Sequence, residues 1–189
     1  MKSNDMDKSY RTEFHRIFLI DALPEPLTRA SSHLQIFDNY LPNTRLRLRA
    51  MRSPETKDWT HILQQRFSVP QAEPGTWKTA DIYLNEAEYA HLRIFEGNEI
   101  RKNRYFHEFD GRTFAFDVYL GPLWGLQTAR VEFATREEMM AMEPPAFAIL
   151  EITGDLFFGG GSLVNKSFAD IQKEVNSLGA ALGHPPDDE

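Results

Sequence analysis

The chain has 189 residues, with 28 acidic against 21 basic side chains and a formal net charge of −7, an acidity that argues against a general nucleic-acid binder. It contains no cysteine, which excludes disulfides and cysteine-based metal sites and suits a reducing cytoplasm. No segment approaches the roughly 18 apolar residues of a membrane span, the opening MKSNDMDKSYRTEF has no signal-peptide run, and the length predicts one domain over 12–183 between polar tails at 1–11 and 184–189.

EFHRIFLID (13–21) reads as the first strand. Two prolines punctuate LPEPLTRASS, where a short helix is expected. HLQIFDNYL (33–41) is the second strand, PNT a turn, and RLRLRAM the third strand. THILQQRF (60–67) is the fourth. TADIYLNEAEYAHLRIF begins extended and turns helical at Asn85, a capping residue followed by Glu86 and Glu88 at the positive end of the helix dipole. EIRKNRYFHEF and TFAFDVYLG flank Asp110-Gly111, the strongest hairpin signal in the chain. LQTARVEFAT is another strand, REEMMAM a short helix and FAILEITGD a strand. SFADIQKEVNSLGAALG is a final helix, with Phe168, Ile171, Val175, Leu178 and Leu182 at helical spacing. About eight strands, mostly joined as hairpins, with three or four helices make an antiparallel α+β pattern rather than alternating βαβ units.

Side chains on a strand alternate between faces. In TRLRLRAMR, Arg45, Arg47 and Arg49 point one way, Leu46 and Leu48 the other. Read in this manner, the charged faces of all strands collect Arg45, Arg47, Arg49, Arg66, Lys102, Arg104 and Arg130 against Glu13, Asp117, Glu132 and Glu151. An ordinary antiparallel sheet with one face in water accounts for the alternation. It does not account for the sign bias. Two like charges 6 Å apart at an effective dielectric of about 20 cost roughly 3 kcal/mol, a cost that nearly vanishes in open water. In a closed barrel it persists until a polyanion enters.

Five segments in order resemble the CYTH superfamily, the triphosphate tunnel metalloenzymes. FDNYLPNTRLRLR is similar to its Q-G-Y-L…R-x-R segment, LQQRF to L-T-x-K-F, and IRKNRY to K-x-R-Y. FAFDVYLGPLWGLQTARVEF is similar to D-x-F-x-G-x-L-x-G-L-x-x-A-E-x-E, and LEITGD to E-V-T-x-D. The resemblance covers about Glu13 to Phe168. It implies a closed or nearly closed eight-stranded antiparallel β-barrel, a tunnel with flanking helices. It further implies that Arg45, Arg47, Arg49, Arg66, Lys102 and Arg104 grip phosphates, since guanidinium forks match phosphate oxygens in pairs. Glu13, Glu132 and Glu151 become the catalytic carboxylates that hold Mg²⁺ or Mn²⁺, with Asp117 a weaker fourth ligand.

Three positions depart from the family pattern. Its opening E-x-E-x-K reads Glu13-Phe14-His15-Arg16-Ile17, and its later E-x-E reads Arg130-Val131-Glu132. His15 is either a ligand, favouring Mn²⁺ over Mg²⁺, or a neutral, phosphate-bonding side chain. Arg130 is expected to pair with Glu132 or Glu13. The resemblance implies a phosphohydrolase-like tunnel protein that binds a triphosphate or inorganic polyphosphate, with weak metal-dependent triphosphatase activity as its concrete form. The alternative is a catalytically inactive protein that binds a phosphorylated small molecule, which the changes at His15, Ile17 and Arg130 favour. An adenylyl cyclase is the third reading. No nucleic acid or membrane partner is expected, and a homodimer is left open. Gly159-Gly160-Gly161 precedes no Walker lysine and reads as a loop. His33, His61, His91, His107 and His184 show no metal spacing, and Trp59, Trp77 and Trp124 read as packing residues, with Trp124 a candidate for the tunnel mouth.

Overall fold

The computed structural model describes residues 9–93 and 98–182, and side chains to 179; residues 1–8 of the expected tail at 1–11, the expected tail at 184–189 with His184, and the side chain of Leu182 lie outside the described residues. The strands are β1 (Arg11–Leu19), β2 (Leu34–Tyr40), β3 (Leu46–Arg52), β4 (Trp59–Ser68), β5 (Thr76–Leu84), β6 (Glu99–Phe109), β7 (Arg112–Tyr119), β8 (Gln127–Phe133) and a short β9 (Leu150–Glu151). The helices are α1 (Glu86–Leu92), α2 (Arg136–Ala141), α3 (Gly160–Leu163) and α4 (Phe168–Leu182).

The strands pair in the order β5-β4-β3-β2-β6-β7-β8-β1, and β1 then pairs β5, which closes an eight-stranded antiparallel barrel. β9 is an extra strand on the edge of β1. The hairpin at Asp110-Gly111 joins β6 to β7 as expected. Asn85 caps α1 through a reciprocal box with Glu88, whose side chain returns a bond to the Asn85 N–H.

Two expectations are corrected. No helix forms in LPEPLTRASS. Separate turns, Leu27 N–H to Pro24 O and Ser31 N–H to Thr28 O, carry the chain from β1 to β2, and prolines supply no N–H for a continued helical ladder. FAILEITGD pairs over only Leu150–Glu151. β5 and the turn before it take that edge of β1 from Arg11 to His15, the Thr153 side chain takes the Ile17 N–H, and Gly154 then turns the chain away at φ 77°.

The main apolar core lies outside the barrel. Phe18 of β1, Tyr105 of β6, Phe114, Phe116 and Val118 of β7 and Ala129, Val131 and Phe133 of β8 are buried beneath Met139 of α2 and the segment around Met142, Phe147 and Ala148. Burying a side chain such as Phe or Val contributes about 1.5–3 kcal/mol, so this outer layer supplies the driving force that fixes which strand faces turn inward. A second cluster stoppers one end of the barrel. Ile17, Leu19, Ile100 and Tyr119, from the inner faces of their strands, pack against Leu123, Leu163 and Ile171, and Tyr40, Phe168 and Val175 join them. The three consecutive glycines belong to this stopper: a Cβ on Gly160 would stand 1.8 Å from the Tyr40 hydroxyl, so only glycine lets α3 approach so closely.

Candidate anion site in the tunnel

Closure of the barrel turns the charged faces inward. β1 contributes Arg11, Glu13 and His15, β2 Asp38 and Tyr40, β3 Arg47 and Arg49, and β4 Gln64 and Arg66. Asp81 comes from β5, Lys102 and Arg104 from β6, Asp117 from β7 and Arg130 from β8. The local reason is the period of two in each strand. The long-range reason is the apolar outer layer, which leaves the opposite faces no other direction to point.

Two buried carboxylates are each clamped by two cations. Asp38, 1% exposed, receives the fork of Arg49 at 2.6 and 2.7 Å and Nη1 of Arg47 at 3.2 Å. Asp117 receives the fork of Arg104 at 2.7 and 2.7 Å and Nζ of Lys102 at 2.6 Å. Burial alone would raise both carboxyl groups. The paired cations outweigh it and hold both well below the usual carboxylate range. Burial pushes Lys102 down to about 8 against the opposing pull of Asp117.

Beside these clamps the cations outnumber their partners. Glu13 is shared by three arginines: Arg11 donates to Oε1 at 2.7 and 3.1 Å, while Nε of Arg66 and Nη2 of Arg130 each stand 3.3 Å from Oε2. Burial would raise the Glu13 carboxyl, but Arg66 and Arg130 outweigh it and bring it to about 2. Arg66 and Arg130 are also lowered from the ordinary arginine value, by burial first; neighbouring cations add to it, and for Arg130 the pull of Glu132 opposes it. The Nε atoms of Arg47, Arg66 and Arg130 are buried without a hydrogen-bond partner; the Arg66–Glu13 approach has the distance of an ion pair and not the alignment of a hydrogen bond. His15 is buried between Nη2 of Arg66, at 3.3 and 3.4 Å from its two ring nitrogens, and the ring of Trp77 at 6.0 Å. Burial, then Arg130 and Arg66, push its imidazole well below its ordinary value, so it is neutral at pH 7. The turn before β5 fixes it in place. The His15 N–H donates to the Gly75 carbonyl at 3.1 Å, and a Cβ on Gly75, at φ 89°, would stand 2.1 Å from the His15 oxygen.

Several predicted residues lie elsewhere. Arg45 precedes the first residue of β3; it is exposed and lays its guanidinium 4.2 Å from the Phe67 ring. Glu151 pairs in register with Phe18, so it shares the outer face, where Arg16 binds it at 2.8 and 2.5 Å. Glu132 is inward by register but stands at the open end with its side chain 65% exposed, 2.9 Å from Arg130. Glu13, Glu132 and Glu151 therefore do not assemble, and Asp117 is committed to Lys102 and Arg104. Among the described residues no three His, Asp or Glu side chains stand where they could hold a metal ion. Arg130 pairs with both Glu13 and Glu132. Trp124 packs under Arg29 at 4.2 Å and does not line the open end.

Asp38, Asp81 and Arg11 were not singled out from the sequence. Asp38 was detectable: the PNT turn pairs Tyr40 with Arg47, and the same count places Asp38 opposite Arg49. At the end away from the apolar stopper, a cleft of about 460 Å³ opens, lined by Arg104, Phe106, Arg112, Thr113, Ala115, Arg130 and Glu132. To a compact, multiply charged oxyanion the arrangement offers donor forks in surplus and one open end.

Comparison with solved structures matches this architecture. One neighbour is the inorganic triphosphatase NE1496, with 22% identity, a TM-score of 0.54, and coverage of 80% of this chain and 93% of the other. A second structure of NE1496, described as a hypothetical protein, gives 22% identity and a TM-score of 0.55 over 82% and 99%. The chain shares the fold of these structures, a closed eight-stranded antiparallel barrel. No family model and no curated protein matches it. No helix among the described residues is long and apolar enough to cross a membrane.

Proposed function

We propose that the tunnel binds a triphosphate or inorganic polyphosphate, gripped by Arg47, Arg66 and Arg130 with Arg49, Lys102 and Arg104 behind them. The observation that carries this reading is the surplus of guanidinium donors in the bore, three of whose Nε atoms are buried without a hydrogen-bond partner. Like charges held together without water are costly, and an entering phosphate chain supplies both the missing acceptors and the missing charge. At 100 times Kd, tripolyphosphate should stabilise the fold by about 2.7 kcal/mol, a rise in Tm of about 5–11 °C for a chain of this size. Arg47→Ala should reduce that rise below about 1 °C. No rise in the wild type at millimolar tripolyphosphate would refute the reading.

The likeness to the inorganic triphosphatase NE1496 favours a second reading, hydrolysis of the bound anion. Phosphate release from tripolyphosphate with Mg²⁺ or Mn²⁺, lost in Arg47→Ala, would support it. Binding without release would leave the binding reading alone.

Lys102 sets the pH dependence. Its value in the folded chain, about 8, lies below the 10.5 of an ordinary lysine. Below pH 8 the ammonium is charged and available to phosphate. As pH rises through about 8 the charge is lost, and affinity falls. For stability the sign is reversed: between about 8 and 10.5 the unfolded chain holds the extra proton, so the penalty for burying a charged Lys102 is relieved as pH rises. Binding measured from pH 7 to 10 should show an extra fall centred near 8 in the wild type, absent in Lys102→Arg. Equal profiles would show that Lys102 does not contact the ligand.

A further inference from the structure

The CYTH fold implies a divalent ion held by inward carboxylates, and the residues present do not fit one. Among the described residues, the carboxylates inside the bore, Glu13, Asp38, Asp81 and Asp117, are already engaged. Glu13 has three arginines around it, Asp38 and Asp117 each carry two cations, and Asp81 accepts from Nη1 of Arg11 at 2.5 Å and Nε2 of Gln64 at 2.6 Å. A hard cation needs several oxygen ligands with lone pairs directed at it. Here those lone pairs are directed at guanidinium and ammonium groups. Nη2 of Arg130 lies 3.3 Å from Glu13 Oε2 and 2.9 Å from Glu132 Oε1. It thus stands between the two inward glutamates, where an ion bridging them would have to stand. Nη2 of Arg66 stands 3.3 and 3.4 Å from the two ring nitrogens of His15, so a metal ion bound to the imidazole would meet a guanidinium group at contact distance.

We infer that the tunnel takes its polyphosphate as the free anion, with Arg130 supplying between Glu13 and Glu132 the positive charge that a divalent ion would otherwise supply. This rests on the polyphosphate reading above. It also inverts the role of Glu13. In a metal site Glu13 would be a ligand and its loss would weaken phosphate binding. Here it competes with phosphate for Arg66 and Arg130, and its loss should strengthen binding.

The test is calorimetric titration of the full chain with tripolyphosphate, once in EDTA and once in excess Mg²⁺ or Mn²⁺. The expected result is binding in EDTA at least as tight as with metal, because the free ion chelates the ligand in solution. Glu13→Gln should bind about 3–10-fold more tightly in EDTA, and Arg130→Gln about 10-fold more weakly. Binding that appears only with metal, or that Glu13→Gln weakens in either buffer, would overturn the inference while leaving the polyphosphate reading intact. No binding in any buffer would overturn both. If Glu13→Gln does not melt cooperatively, the wild-type comparison between EDTA and metal decides by itself.

Discussion

Asp38→Asn is expected to lower the melting temperature by about 6–20 °C, and tripolyphosphate is expected to return most of that loss. Asp38 is 1% exposed and accepts three hydrogen bonds from Arg47 and Arg49. Asparagine keeps the volume and removes the charge, which leaves two buried guanidinium groups without their anion. Breaking a buried ion pair from one side costs about 3–5 kcal/mol, and each kcal/mol moves Tm by about 2–4 °C at this size. The ligand effect separates this site from an ordinary buried salt bridge. A phosphate group placed by the same two arginines replaces the missing charge, so the variant should gain more from tripolyphosphate than the wild type does. The measurement is a pair of thermal melts, with and without ligand. A variant that melts within 2 °C of the wild type, or gains no more from the ligand, would show that Asp38 does not hold the arginines ready for an anion.

Arg66→Gln should produce the opposite pair of effects: affinity for tripolyphosphate about 10–100-fold weaker, with stability unchanged or about 1 kcal/mol higher. Arg66 is half-buried, with 16% of its side chain exposed; after desolvation the causes that depress its pKa are Arg130 and Arg47, against the pull of Glu13. Its Nε lacks a hydrogen bond, and its guanidinium lies 4.4 Å from the Trp77 ring. The folded chain is therefore strained electrostatically by this residue. Glutamine relieves the repulsion and retains much of the contact with Trp77. A charge-assisted hydrogen bond contributes about 1.5–3 kcal/mol, which sets the expected loss of binding. Stability exchanged for function in this direction marks a binding site rather than a structural one. Loss of stability with unchanged affinity would assign Arg66 to the fold.

The elements were legible where their signals are local. Alternation in TRLRLRAMR and EFHRIFLID located β3 and β1 and sorted their faces. Asn85 with Glu88 marked the start of α1, and Asp110-Gly111 marked the hairpin. The site was legible in part. Arg47, Arg49, Arg66, Lys102 and Arg104 were placed on the correct face by parity alone. Glu151 was not, because its strand is two residues long and its face depends on pairing with Phe18, far away in the chain. Arg45 was misplaced because parity has meaning only inside a strand, and β3 begins one residue later. Asp38 was passed over because a single aspartate among apolar neighbours carries no pattern of its own; only the cross-strand register makes it the partner of Arg49.

The amino-acid sequence by itself therefore determined which side chains share a face, and with them the bias toward arginine on one face of a net acidic chain. That is a consequence of the pleat, which acts over two residues. The resemblance supplied the expectation that those faces close around a bore; periodicity did not, and only the tertiary structure decided that Glu13 meets Arg130 at a separation of 117 residues instead of standing free. Which carboxylate meets which cation is set by barrel closure and strand register, and both follow from the apolar layer packed around the outside, contributed by distant segments whose joint effect no local window of sequence contains.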